Sequence, residues 1–81
     1  MLKKTSIQNT QSLGKAILKR RQQLGLKQAD AAGLLGVGVR FLSELERGKE
    51  TCELGKVLRV LIGLGLSLIL ETPNEIGPCE A

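Results

Sequence analysis

"KQADAAGLLGVGVRFLSELERG", residues 27–48, decides how the chain is read. Its apolar residues fall into two short helical patterns on either side of a glycine. In the first, from Lys27 to Leu35, the residues Ala31, Ala32 and Leu35 recur on one face. In the second, about ten residues opening at Gly38 and closed by Gly48, Phe41, Leu42 and Leu45 share a face, while Val39, Arg40, Ser43, Glu44 and Arg47 point elsewhere. Gly36 stands where the first pattern stops and suits a tight bend, because glycine takes left-handed backbone angles at no steric cost. The second glycine, Gly38, suits a close approach of backbone to a partner. Ala32 is small where two helices cross closely, and Val37, Leu42 and Leu45 plug the angle between them.

Outward from this pair, residues 1–9 are polar and irregular and are expected to form a flexible arm. Leu13, Ala16, Ile17, Arg20, Arg21 and Leu24 then recur at helical spacing up to Gly25, which predicts a helix over Thr10 to Leu24 with Lys15, Lys19 and Arg20 on its other face. Thr51 is a candidate N-cap for a further helix carrying Leu54, Val57, Leu58, Leu61 and Ile62, ended by Gly65. In "LSLILET", residues 66–72, Leu66, Leu68 and Leu70 alternate with Ser67, Ile69 and Glu71, the period of a strand. Nothing else in the chain alternates well enough to pair with it, and an unpaired strand leaves its N–H and C=O groups unsatisfied. The same strand of a second copy, Leu66, Ser67, Leu68, Ile69 and Leu70, is the simplest partner. Residues 73–81 are expected to be a disordered tail, which leaves 10–72 as one domain.

Composition bounds what such a domain can do. Eighty-one residues hold one small core, and with Phe41 the sole aromatic that core is built from Leu, Ile, Val and Ala. There is no His, Trp or Tyr and no nucleophile motif, so no catalytic residue is proposed and an enzyme is the weakest reading. Cys52 and Cys79 lie far apart with no His to complete a metal site, which argues against metal, cofactor and disulfide framework alike. The longest apolar run, Val60 to Leu70, is broken by Gly63, Gly65 and Ser67, whereas a membrane span needs about 20 apolar residues. No membrane partner is expected. Twelve Lys and Arg stand against eight Asp and Glu, and two of those acids, Glu75 and Glu80, lie in the tail. That excess of positive charge favours an anionic partner such as nucleic acid.

Two short helices meeting at Gly36, the second ending in Glu46, Arg47 and Gly48, have the spacing of a helix-turn-helix. Residues 27–48 resemble that motif in the lambda-repressor-like, Xre-type DNA-binding domains. With the helix and short strand that follow, the chain is most similar to HipB-type antitoxins, over about residues 10–71. The resemblance implies an all-α bundle of four to five helices, with one short C-terminal β-strand pairing across a homodimer. It implies a repressor in the bacterial cytoplasm, at the nucleoid, that binds a palindromic operator in double-stranded DNA and sequesters a HipA-type toxin kinase. Two other readings fit the same residues: a stand-alone Xre-type regulator, and a protein-interaction module that does not use DNA.

The resemblance also assigns roles. The helix opening at Gly38 enters the major groove, so Val39, Arg40, Ser43 and Glu44 face base edges. Arg40 has the donor fork for guanine O6 and N7, Val39 suits a thymine methyl, Ser43 bonds either way, and Glu44 either accepts from cytosine N4 or merely repels phosphate. Lys27, Gln28, Gly38, Arg47 and Lys49 fall where phosphates are contacted, Gln28 helped by the free N–H groups of its helix end. Many relatives have a polar residue at the position of Gly38, which this chain lacks. Arg21 and Glu46 occupy the positions of an internal ion pair that ties the first helix to the recognition helix.

Overall fold

The computed structural model describes residues 3–73. Among them the chain forms four helices, α1 (Thr10–Gln23), α2 (Gln28–Leu35), α3 (Val39–Glu46) and α4 (Leu54–Gly63). The start of α1 is set by a reciprocal cap. Asn9 Oδ1 accepts from the Ser12 N–H at 2.8 Å, and Ser12 Oγ accepts from the Asn9 N–H at 3.1 Å, satisfying two donors that a helix start leaves free.

All four helices stop in the same way. Gly25, Gly36, Gly48 and Gly65 follow their ends with positive φ, and each donates its N–H into the last turn. The next residue then reaches further back: Leu26 to the Arg21 carbonyl, Val37 to Ala32, Lys49 to Glu44 and Leu66 to Leu61. At three of these ends that next residue is apolar, and Leu26, Val37 and Leu66 pack against the core. At the end of α3 it is a lysine.

The core consists of Ile17 from α1, Ala31 and Ala32 from α2, Leu42 and Leu45 from α3, and Val57, Val60, Leu61 and Leu64 in and after α4. Most of the expected inward residues belong to it or pack against it. Three are exposed instead: Leu24 at the end of α1, and Leu54 and Ile62 of α4, Ile62 at 74%, while Val60 is fully buried. The expected amphipathic face of α4 was therefore rotated, since the stripe that meets α1, α2 and α3 runs through Val57, Val60, Leu61 and Leu64.

Helix α1 lies very close to the end of α3, and glycine makes this possible. A Cβ built on Gly14 would stand 2.6 Å from the Leu45 carbonyl oxygen and 2.5 Å from that of Glu46. One built on Gly48 would stand 2.8 Å from the Gln11 Cα. These are backbone atoms at a helix end and have nowhere to retreat.

The bend between α2 and α3 uses Gly36, at φ 70°, whereas Gly38 has φ −72°, an ordinary extended angle. Two expectations are corrected. Thr51 sits in the turn between α3 and α4, and the N-cap of α4 is Glu53, whose carbonyl takes the helix's first hydrogen bond, from Val57. Residues 66–72 form no strand, whereas the four helices among the described residues fall within the four to five expected. A strand exists only as part of a ladder, and one chain offers this segment no edge. Leu66 is anchored by its hydrogen bond to Leu61, whereas Leu68, Ile69 and Leu70 are exposed, Leu70 at 89%. Of the expected tail, residues 74–81, with Cys79, lie outside the described residues; so do residues 1–2 of the arm, and residues 3–9 carry no helix or strand.

The glycine packing is checked by substitution. Gly14→Ala is expected to destabilise the fold by about 1 to 3 kcal/mol, the cost of overpacking. Gly33→Ala, inside α2 with nothing within 4 Å of its Cβ, is expected to stabilise it by about 0.5 to 1 kcal/mol. Urea unfolding of the two variants beside the wild type measures both.

Candidate nucleic-acid interface

The outward face of α3 is built by what its inward face buries. Leu42 and Leu45 are sunk in the core and Phe41 is half-buried beside it, which leaves Val39, Arg40, Ser43 and Glu44 on the other side of the helix. Residues four apart on a helix are neighbours, so 39 with 43 and 40 with 44 form two adjacent rows. Val39 is exposed, Ser43 and Glu44 are half-buried, and the Arg40 side chain is 91% exposed. Arg47 and Lys49 follow at the end of the helix, both exposed.

Behind this face a buried cluster holds α3 in place. Arg21 Nε donates to Glu46 Oε2 at 2.7 Å and Arg21 Nη2 to Glu46 Oε1 at 3.0 Å, a two-pronged pair between side chains only 11% and 4% exposed. Arg21 Nη1 donates to the Leu26 carbonyl at 2.8 Å, and Gln28 Nε2 donates to Glu46 Oε1 at 2.9 Å. One carboxylate thus joins α1, α2 and α3. The hydrogen bond to Glu46 raises the Arg21 pKa above its ordinary value against the opposing effect of burial, so the guanidinium stays charged. The ion pair is where the resemblance placed it. Gln28, expected at a phosphate, is more committed than that, because its amide nitrogen is held by Glu46.

Lys27 and Gly38 are the N-caps of α2 and α3, and neither helix start has a side-chain cap. Free N–H groups there are the usual seat of an anion. Two arginines of the framework close other gaps: Arg20 Nε donates to the Leu64 carbonyl at 2.8 Å, and Arg59 Nη1 to the Gly36 carbonyl at 3.4 Å.

The surface chemistry of α3 centres on Glu44. Lys49 Nζ donates to its Oε2 at 3.1 Å, and Arg40 Nε stands 3.8 Å from its Oε1. The hydrogen bond from Lys49 holds the Glu44 carboxyl below the ordinary glutamate range, with the charges of Lys49, Arg40 and Arg47 acting in the same direction. Whatever stability this pairing contributes is present above the ordinary glutamate pKa and is lost as the pH falls through the depressed value. Sequence reading placed Glu44, Lys49 and Arg40 separately and missed their association. The signal was there in the spacing, since Gly48 as the capping glycine puts residues 44 and 49 against each other.

A recognition helix with an exposed polar face, buttressed by a turn and a second short helix, defines the class of helix-turn-helix DNA-binding proteins. Residues 12–71 match the family described as "Helix-turn-helix domain". The chain is also 47% identical over 55 residues to the "Uncharacterized HTH-type transcriptional regulator y4mF" of Sinorhizobium fredii, covering 68% of this chain and 72% of that one. It therefore belongs to the helix-turn-helix family of transcriptional regulators, DNA-binding proteins and not enzymes. Among solved structures, the chain is similar to HipB in a complex with an O2 20mer, at TM-score 0.78 and 26% identity over 89% of this chain and 100% of that one. HipB in a HipA–HipB–O2–O3 complex gives TM-score 0.77 at 26% identity, over 86% of this chain and 99% of that one. Among the described residues no helix is long and apolar enough to cross a membrane.

Removing Glu46 tests the buttress. Glu46→Ala leaves Arg21 buried and Gln28 without its acceptor, and is expected to cost about 3 kcal/mol, the lower end for breaking a buried pair because Arg21 keeps some contact with water. Denaturant unfolding of Glu46→Ala, Arg21→Ala and the double variant is expected to show strongly non-additive losses.

Proposed function

We propose that the chain is a dimeric, sequence-specific repressor that reads a palindromic operator, and that it serves as the antitoxin of a HipBA-type pair. The observation that carries the DNA reading is the outward face of α3, where Val39, Arg40, Ser43 and Glu44 stand opposite the buried Leu42 and Leu45. Arg40 takes a guanine, Val39 a thymine methyl, and Ser43 a neighbouring base edge. Glu44 faces the same groove. Lys27, Gln28, the backbone at Gly38, Arg47 and Lys49 border this face and bind phosphates, fixing the register of the helix. Such a protein works where the DNA is, in the bacterial cytoplasm at the nucleoid.

The dimer reading rests on residues 66–70. They leave α4 as an unpaired apolar segment, and residues 3–7 border the same groove above α1 that this segment does. Antiparallel pairing with the same segment of a second copy satisfies the backbone, covers Leu68 and Leu70, and makes residues 10–72 a DNA-binding and dimerising unit. Two recognition helices then lie about 34 to 36 Å apart, one turn of DNA, or a multiple of it.

The antitoxin reading is supported by the likeness to HipB, which is seen in complex with HipA. It is supported also by a second apolar surface, where Leu34 and Ile62 stand exposed beside Leu58 and Arg59. A HipA-type kinase co-purifying from the native host is the expected result. Its absence there leaves a stand-alone regulator as the better description.

Two measurements check the core of the proposal. Arg40→Ala is expected to cost about 1 to 3 kcal/mol on the preferred site and to relax the preference at one base pair. An equal loss on every sequence makes Arg40 a phosphate contact instead. Light scattering is expected to give a dimer for the wild type and a monomer for Leu68→Pro, which removes a ladder donor. A monomeric wild type at high micromolar concentration sinks the strand pairing.

A further inference from the structure

We propose that Glu44 is an internal counter-anion on the DNA-facing surface, which occupies Lys49 and Arg40 in the free protein and so suppresses binding to DNA of arbitrary sequence. This deepens the DNA-binding reading and rests on it. The two oxygens of the carboxylate face different cations, Oε2 toward Lys49 Nζ at 3.1 Å and Oε1 toward Arg40 Nε at 3.8 Å. Lys49 is delivered to that position by the backbone, through its own N–H bond to the Glu44 carbonyl at 3.0 Å.

Helix energetics do not account for the carboxylate. It lies in the last turn of α3, at the negative end of the helix dipole, where an acid is disfavoured. Its pairing with Arg40 runs arginine first and glutamate four residues later, the weaker orientation. At the other three helix ends the equivalent residue to Lys49 is Leu26, Val37 or Leu66, packed against the core. Only α3, the helix facing DNA, has a charged pair in place of that apolar contact.

The consequence follows from the chemistry of the competitor. A phosphate oxygen and a carboxylate oxygen ask for the same donors. When the chain meets random DNA, Lys49 exchanges one oxyanion for another and gains little, and the released carboxylate repels the phosphates. A site with a guanine for Arg40 returns a directional two-pronged bond that Glu44 at 3.8 Å does not match. The penalty thus falls on all sequences and the compensation on few.

The test uses the full chain, a random-sequence duplex and a duplex selected by the wild type from a random pool, each titrated by fluorescence anisotropy over a salt series. Glu44→Gln is expected to bind the random duplex about two- to fivefold more tightly, the equivalent of one exposed ion pair. Its salt slope on that duplex is expected to steepen by at most about one, as the acid that opposes the contact of Lys49 with phosphate is gone. The selected duplex gains less, so the preference between the two falls. Glu50→Gln removes the same charge next to Lys49 from a residue without an ion pair among the described residues, and is expected to gain less. In a Lys49→Ala background the Glu44→Gln gain is expected to shrink, since only the release of Arg40 and the lost repulsion remain. Should Glu44→Gln melt early, Glu44→Ala, a stronger helix former, reads the same quantity. Equal gains from Glu44→Gln and Glu50→Gln, or a gain that Lys49→Ala leaves undiminished, reduce the effect to overall charge and overturn the proposal. A loss confined to the selected duplex makes Glu44 a base-reading residue and overturns it too. A wild type that binds neither duplex overturns the DNA-binding reading itself, a result distinguishable from the others.

Discussion

Everything on the outward face of α3 depends on one buried carboxylate. Glu46 receives two hydrogen bonds from Arg21 and one from Gln28, so a single group at the end of the recognition helix binds the first helix, the second helix and, through Arg21, the Leu26 carbonyl of the turn between them. An ion pair of this kind gains little by being buried, because desolvation offsets most of the attraction. What it provides is geometry. A planar guanidinium meeting a planar carboxylate with both prongs sets the angle of α3 against α1 in a way that packed leucines alone do not.

The glycines make that geometry reachable. Gly14 and Gly48 let the backbone of α1 come within contact of the end of α3, the approach at which Arg21 and Glu46 meet. The same approach leaves few side chains between the helices, so a core of nine small and medium aliphatic residues suffices to hold four helices. A small core has a cost in exposed apolar surface. Leu34, Ile62 and the segment from Leu68 to Leu70 remain outside it, and these are the surfaces from which partners are proposed.

Two carboxylates two residues apart illustrate how environment divides roles. Glu46 faces inward, is buried and has its oxygens filled by fixed donors. Glu44, on the other side of the helix, keeps its partners loosely, at the surface, where water and salt compete. The first is committed to the fold. The second is free to exchange partners, and its proposed role toward DNA rests on that freedom.

The positions of the helices were legible in the residues themselves, because local rules decide them: apolar periodicity marked α1 to α4, and Gly25, Gly36, Gly48 and Gly65 marked their ends. The outward face of α3 followed from the spacing of Leu42 and Leu45. The pair of Arg21 and Glu46 came from resemblance, since nothing local joins residues so distant in the chain. Four features were decided by tertiary structure alone. The close approach at Gly14 depends on where another helix lies, as does the burial of Val60 in place of Ile62. Gln28 turns toward Glu46 because the bundle brings a buried acceptor within reach. The alternation of residues 66–71 expresses a strand propensity that one chain does not realise, for a strand needs a neighbour, and the neighbour is not in the sequence.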